Sequence, residues 1–289
     1  MKLATYQWGG ERHVGLLTPD ERELAPLRLA KEERQLGALA LIRRMVAGEP
    51  LPVSNSPRIP LTAVKLEAPI PRPLRNIICV GRNYHAHANE LASSVFKDNS
   101  AHPEQWPIIF TKFPECVIGP GDSVRLPHGV SNQIDYEAEL AVIIGRGGIN
   151  ISASNAMRHV FGYTIVNDVT ARDVQMRHQQ WDLGKSFDTF CPMGPWLVTA
   201  DELDGQNTRI RSFVNGEVRQ DAGTRDMIFD IPTLIETCSR GITLYPGDII
   251  ATGTPAGVGM GMTPPVYLKK NDVMRIEIDG LGTLENVFK

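Results

Sequence analysis

Cysteine is scarce and scattered in this sequence. Four thiols, Cys79, Cys116, Cys191 and Cys238, stand among 289 residues with no C-x-x-C pair and no zinc-finger spacing. That pattern argues against a disulfide scaffold or a structural zinc site and predicts separate, reduced and mostly buried thiols. Long apolar runs are missing too: none approaches the roughly 20 residues that span a bilayer. Met1-Lys2-Leu3-Ala4-Thr5 leads straight into polar sequence, unlike a signal peptide. No membrane partner is expected, and the cytoplasm is the expected location. Nor is there an excess of one charge, since 30 basic side chains face 33 acidic ones for a formal charge of −3. That near balance gives no footprint for a nucleic-acid partner. No internal repeat or low-complexity tract is present.

What the chain does have is punctuation. Its 26 glycines and 21 prolines interrupt short β-like runs rather than long helices. Strands are expected over Leu3–Trp8 and His13–Leu17, then a helix over Lys31–Ala47 with Leu39, Ile42 and Val46 on one side at i, i+3, i+7. Gly48-Glu49-Pro50-Leu51-Pro52 and Pro57-Arg58-Ile59-Pro60 read as a stiff linker, too rich in proline to sit inside a sheet. Residues 1–70 are thus expected to form a small N-terminal α/β extension with its linker, and residues 71–289 the main domain.

Within that larger part, Asn76–Gly81, Glu137–Ile144, Tyr163–Asp168, Trp196–Thr199 and Gly247–Thr252 read as strands. Ser152 or Ser154 is expected to cap a helix running to Val160, with Gly162 as its stop. Near the end, Met274, Ile276 and Ile278 alternate with Arg275, Glu277 and Asp279, and Asp279-Gly280 offers a type I′ hairpin turn. The expected class is a β-rich α+β fold.

Three groups of residues carry chemistry. Glu137 and Glu139, at i and i+2 on a strand, point to the same face about 7 Å apart along the chain. Like charges flanked by Leu140, Val142 and Ile143 call for neutralisation, which a divalent ion supplies; a solvent-facing edge strand is the plainer alternative. Asp168 ends another apolar strand, and three carboxylates without cysteine favour Mg²⁺, Mn²⁺ or Ca²⁺ over zinc.

The second group is His87 and Glu90, neighbours at i, i+3 if Asn83–Leu91 is helical, with His85 pointing elsewhere. A carboxylate beside an imidazole orients it and raises its basicity, as a general base requires; a polar helix surface is the alternative. A His85-x-His87 metal pair would need later histidines in a pattern that His102, His128, His159 and His178 do not form.

The third group is Arg172, Gln175 and Lys185, which follow Asp168. Lys185 precedes the apolar stretch Ser186–Cys191, so a tucked-in lysine there needs an anionic partner. Two glycine-rich stretches fail as nucleotide loops. Gly145–Asn150 lacks the third glycine of G-x-G-x-x-G, and Gly253–Gly259 lacks a Gly-Lys-Ser/Thr ending. The second reads better as a flexible loop whose backbone N–H groups can hold a small carboxylate.

These stretches together carry a resemblance. Gly81-Arg82-Asn83-Tyr84 with His87 and Glu90, Asp135–Leu140, Asn167–Gln175, Gly184–Phe190 and Thr252–Gly259 are five motifs in the order found in the fumarylacetoacetate hydrolase family, which the chain resembles over Pro71–Lys289. The resemblance implies a mixed β-sandwich roll, a homodimer, and Mg²⁺ or Mn²⁺ held by Glu137, Glu139 and Asp168. It also implies substrate contacts at Arg172, Gln175, Lys185 and Thr254, with Lys185 adding charge at the reacting oxygens. His87 and Glu90 match the catalytic dyad of the acylpyruvase-like branch, and Ala92–Gln105 fits a lid over the substrate.

The activity so implied is hydrolysis of a C–C bond in an acylpyruvate or related 2,4-diketo acid, releasing pyruvate and a carboxylic acid. The same site would serve as an oxaloacetate-type decarboxylase or as an isomerase of a hydroxydienoate or oxo-enoate, and a non-catalytic binding protein is a further alternative. The expected partner is a small 2-oxo acid.

Overall fold

The computed structural model describes residues 1–92, 106–177 and 179–289. Its central feature is a large mixed sheet. From one edge the strands run Ile59–Pro60, Glu23–Pro26, Glu11–Leu17, Lys2–Trp8, Cys191–Thr199, Val160–Asn167, Ala138–Ile144, Ile249–Ala251, Ile77–Gly81 and Ile108–Lys112. Two further strands attach beside this path: Lys65–Glu67 pairs with Lys2–Trp8, and Val117–Ile118 pairs with Cys191–Thr199.

A second sheet of five strands, Glu217–Gly223, Arg209–Val214, Val273–Ile278, Gly282–Phe288 and Ser123–Val124, packs over the middle of the first. Strands in that middle are covered on both faces, so Ala138–Ile144 and Cys191–Thr199 are buried at every residue and read as continuous apolar runs. Val273–Ile278 has only one covered face. It buries Met274, Ile276 and Ile278 while the residues between them stay partly exposed, as their alternation predicts.

Several expectations need correction. The Lys31–Ala47 helix is two helices, Lys31–Gln35 and Ala38–Val46, broken at Gly37. Gly37 has φ +62°, and a Cβ there would lie 2.5 Å from the Pro69 carbonyl oxygen and 2.6 Å from the Pro71 ring. The chain turns because its backbone is pressed against the 69–71 stretch. Leu39 and Ile42 face the core, but Val46 is exposed.

The proline-rich stretch is not excluded from the sheet. Ile59–Pro60 pairs with Glu23 and Leu24 at the outermost edge, where a missing N–H costs no ladder bond. The N-terminal strand itself pairs Lys2 with Val198 and Leu3 with Leu197, so residues near the start extend the same sheet that carries the 71–289 strands.

Gly162 does not stop a helix. The helical segment Ala153–Ala156 and the 3₁₀ turn Met157–His159 end earlier, and Gly162 lies within the strand Val160–Asn167. A Cβ on it would sit 2.1 Å from the Val198 carbonyl oxygen, so glycine serves close strand contact there. Ser152 makes no side-chain cap. The final hairpin joins Ile278 to Gly282 across three residues, with Gly280 but not Asp279 in the left-handed region. That geometry rules out the expected type I′ turn.

All four cysteines are free and buried. The Cys116 thiol donates to the Phe113 carbonyl at 2.9 Å, just before Val117–Ile118 runs beside Cys191–Thr199. Among the described residues no helix is long and apolar enough to cross a membrane. The expected lid, Ala92–Gln105, lies beyond its first residue outside the described residues, as do His102 and His178.

Candidate active site

The acidic group is assembled at one end of the central strands. Glu137 immediately precedes the strand Ala138–Ile144 and Glu139 lies within it, while Asp168 follows its antiparallel neighbour Val160–Asn167. Two bonds tie the ends together: the Asp168 N–H donates to the Glu137 carbonyl at 2.9 Å, and the Glu137 N–H donates to the Asn167 side chain at 3.1 Å. One oxygen from each of Glu137, Glu139 and Asp168 lies within 4.8 Å of the others, and all three side chains are buried. A solvent-facing edge strand is thereby overturned for this pair of glutamates.

Cations crowd the same carboxylates. Lys185 Nζ stands 2.8 Å from Glu137 Oε2 and 2.8 Å from Asp168 Oδ2, the anionic partners its burial demands. Arg172 reaches Glu137 Oε1 at 2.7 Å through Nη1 and Asp135 Oδ2 at 2.9 Å through Nε. Lys112, at the end of the strand Ile108–Lys112, donates to Asp168 Oδ1 at 2.7 Å, to the Val169 carbonyl at 3.1 Å and to the Lys185 carbonyl.

Four buried carboxylates, counting Asp135, therefore face three buried cations. The imbalance falls on Glu139. Among the described residues it has no ion-pair partner and accepts only the Gly253 N–H, at 2.9 Å. Burial, then the charges of Asp168 and Glu137, push its carboxyl well above the usual range. Burial also acts to raise Glu137, but Lys185 and Arg172 outweigh it and hold that carboxyl at about 2. A dry, all-oxygen group with one unneutralised carboxylate fits a hard divalent cation, so these three residues can hold a divalent metal.

His87 and Glu90 arrive on a helix that follows another strand. After Ile77–Gly81 the chain turns through Arg82 at φ +53°. Asn83 pins this turn by donating to the Phe229 and Thr252 carbonyls at 3.0 and 2.8 Å and accepting the Phe229 N–H at 2.8 Å. The helix His85–Ala92 follows. His87 is 2 % exposed and its Nδ1 meets Glu90 Oε2 at 3.0 Å, whereas His85 faces solvent. A plain polar helix surface does not describe this pair.

The glycine-rich loop does hold carboxylates, but they are the protein's own. Gly253 N–H donates to Glu139 and Gly257 N–H to Glu90 at 3.0 Å. Gly259 and Met260 both donate to Asp135, at 2.7 and 2.9 Å. Thr254 is buried, with its hydroxyl accepting from Gln220 Nε2 at 2.6 Å.

These elements enclose a narrow cleft of about 20 Å³ lined by His87, Glu137, Arg172, Gln175, Lys185 and Thr254, with Val80, Phe110 and Trp181 as apolar wall and Arg82 beside them. Gln175 accepts from Arg172 Nη1 at 3.2 Å, and Arg172 Nη2 is buried with no hydrogen-bond partner. A larger groove of about 650 Å³ beside Asp204, Arg209 and Asp221 contains none of these groups. Chemistry, not size, marks the site.

Two residues escaped the sequence reading. Asp135 stood in a quoted motif without a role, yet it holds Arg172 and two loop N–H groups. Lys112 ends the run Ile108-Ile109-Phe110-Thr111, the same signal that drew attention to Asp168. Replacing Lys112 with Met is expected to destabilise the protein by about 3 kcal/mol, because it removes one of the two cations on the buried Asp168 and leaves the Val169 and Lys185 carbonyls without their donor. Urea unfolding of the metal-free protein measures this, and an unchanged midpoint would refute Lys112 as the support of Asp168.

Comparison with known proteins agrees with this geometry. Residues 76–289 match the family model described as fumarylacetoacetate (FAA) hydrolase C-terminal. The chain is 46% identical to oxaloacetate tautomerase YisK of Bacillus subtilis, over 99% of each chain. Its structure is similar to that of a fumarylacetoacetate hydrolase from psychrophilic Exiguobacterium antarcticum, with TM-score 0.86 and 40% identity over 100% of this chain and 99% of that one. It is also similar to a 5-carboxymethyl-2-hydroxymuconate delta-isomerase from Mycobacterium smegmatis, with TM-score 0.78 and 33% identity over 100% and 99%. Motifs, fold and buried acidic group thus lead to one conclusion: the chain belongs to the fumarylacetoacetate hydrolase family.

Proposed function

We propose that this enzyme is a divalent-metal-dependent tautomerase of a 2-oxo dicarboxylic acid of the oxaloacetate type. The observation that carries the reading is the buried His87, oriented by Glu90 and lining the same narrow cleft as Arg172, Lys185 and Glu137 of the acidic group. The motifs by themselves point first to C–C hydrolysis. Similarity to an oxaloacetate tautomerase and to a delta-isomerase supports the isomerising alternative instead.

The chemistry asks less of the site than hydrolysis does. His87 takes a proton from C3 of the 2-oxo acid, and a proton returns at the C2 oxygen to give the enol. No bond between heavy atoms breaks and no water is consumed. With Nδ1 committed to Glu90, Nε2 is the nitrogen left for this transfer, and the carboxylate beside it stabilises the imidazolium. Arg172 Nη2, a buried donor without a partner, is the contact for a substrate carboxylate, with Gln175 beside it. Lys185 places its ammonium where negative charge develops on the enolate. When bound by Glu137, Glu139 and Asp168, Mg²⁺ or Mn²⁺ supplies further positive charge as a Lewis acid.

The test is the decay of enol-oxaloacetate, added from an aprotic solvent and followed by its ultraviolet absorbance, with Mg²⁺, Mn²⁺ or EDTA. Accelerated decay with metal, without pyruvate, is the expected result. Pyruvate and CO₂ from oxaloacetate would make the protein a decarboxylase. Metal-dependent cleavage of acetylpyruvate, with no effect on the enol, would restore the hydrolase reading.

A further inference from the structure

Glu90 is held in place by an absence. Gly261 closes the short 3₁₀ turn Gly259–Gly261 at the end of the glycine-rich loop. A Cβ on it would lie 2.2 Å from Glu90 Cδ, 2.2 Å from its Oε1 and 2.5 Å from its Cγ. The Glu90 carboxylate therefore rests directly on the Gly261 α-carbon. From that seat Oε1 accepts the Gly257 N–H at 3.0 Å while Oε2 meets His87 Nδ1 at 3.0 Å.

Nothing in the backbone demands glycine at this position. Gly257, four residues earlier, has φ +106°, but Gly261 is not in the left-handed region, so alanine there carries no conformational strain. The missing methyl has one use, which is room for a carboxylate from another element.

We propose that Gly261 is a positioning residue for the His87–Glu90 base, which deepens the tautomerase reading and rests on it. With alanine in its place the easiest relaxation is rotation of the flexible Glu90 side chain, not movement of the loop. Gly261 N–H stays bonded to the Val258 carbonyl at 3.0 Å, and the Gly259 and Met260 N–H groups stay on Asp135. The carboxylate then leaves both Gly257 and His87, and the imidazole loses its orienting partner. The metal carboxylates and Arg172 are untouched.

A double-mutant cycle tests this. Gly261→Ala is expected to lower kcat about tenfold or more, with KM, Mn²⁺ affinity and melting temperature unchanged. In a Glu90→Ala background the methyl has free space, so adding Gly261→Ala is expected to change kcat by less than about twofold, a coupling that independent sites do not produce. A glycine needed only for loop structure would cost the same in both backgrounds, and that result overturns the proposal. So does a Gly261→Ala enzyme with wild-type kcat.

Imidazole ¹⁵N NMR provides an arm that needs no substrate. The downfield Nδ1–H signal of His87 is expected in the wild type and lost in Gly261→Ala, and its persistence in the variant would refute the seat. If the wild type fails to turn over enol-oxaloacetate, the tautomerase reading falls and this spectroscopic result still decides the role of Gly261.

Discussion

His87→Gln is expected to lower kcat for enol-oxaloacetate by about 10²–10⁴-fold, the range that a positioned general base contributes, while Mn²⁺ affinity stays within about twofold of the wild type. Glutamine keeps much of the side-chain volume and can donate an amide N–H to Glu90, so the helix His85–Ala92 and its contact with Gly257 survive. What disappears is a nitrogen able to take a proton from carbon. The proposed metal ligands lie just before and on the strand Ala138–Ile144 and after Val160–Asn167, not on this helix, and their bonds to Lys112, Lys185, Arg172 and Gly253 do not involve His87. Steady-state kinetics and calorimetric Mn²⁺ titration check the two halves separately. A variant that keeps wild-type kcat would remove His87 from proton transfer. One that loses Mn²⁺ would mean instead that the ring supports the acidic group.

The local part of this site was legible in the sequence, and the part made by distant strands was not. Glu137 and Glu139 come together because they are two residues apart where the chain enters the strand Ala138–Ile144, and His87 meets Glu90 because they are three apart on a helix. Both relations follow from local geometry. That Lys112 would reach Asp168, 56 positions away, depends on the packing of Ile108–Lys112 against the end of the central strands, which no local period encodes. The burial of Lys185 foretold an anion without identifying it, because a desolvation requirement fixes the sign of the partner and not its address.

The glycine-rich loop shows the same limit from the other side. Its backbone N–H groups, expected to hold a small carboxylate, instead bind the side chains of Glu90, Glu139 and Asp135, which come from two separate stretches of chain. The break at Gly37 and the edge strand at Ile59–Pro60 were missed for a related reason: proline and glycine mark where regular structure is interrupted, but only neighbouring strands decide whether the interruption joins a sheet.

Glu139→Gln should act in opposite directions with and without metal. The glutamine side chain matches the glutamate in shape and its carbonyl oxygen can still accept the Gly253 N–H. In the metal-free wild type, a buried carboxylate with Asp168 and Glu137 beside it and no ion-pair partner among the described residues is a net cost near neutral pH. Because its folded-state pKa is raised, the folded protein binds more protons than the unfolded one above the ordinary carboxylate range, so this group lowers stability as pH rises towards the folded value. The neutral amide removes that cost, and the melting temperature in EDTA is expected to rise. With Mn²⁺ the order reverses. Loss of one of three anionic ligands is expected to weaken Mn²⁺ binding by roughly a hundredfold or more, and with it the stabilisation that binding to the folded state confers. Melting curves of both proteins in EDTA and in Mn²⁺ should therefore cross over, the variant higher in the first and lower in the second. A variant less stable than wild type in EDTA would mean that the Glu139 charge is already compensated, and a wild type whose melting ignores Mn²⁺ would remove the metal from this site. The crossover needs both properties at once, a carboxylate that the fold leaves unneutralised and a cation that neutralises it.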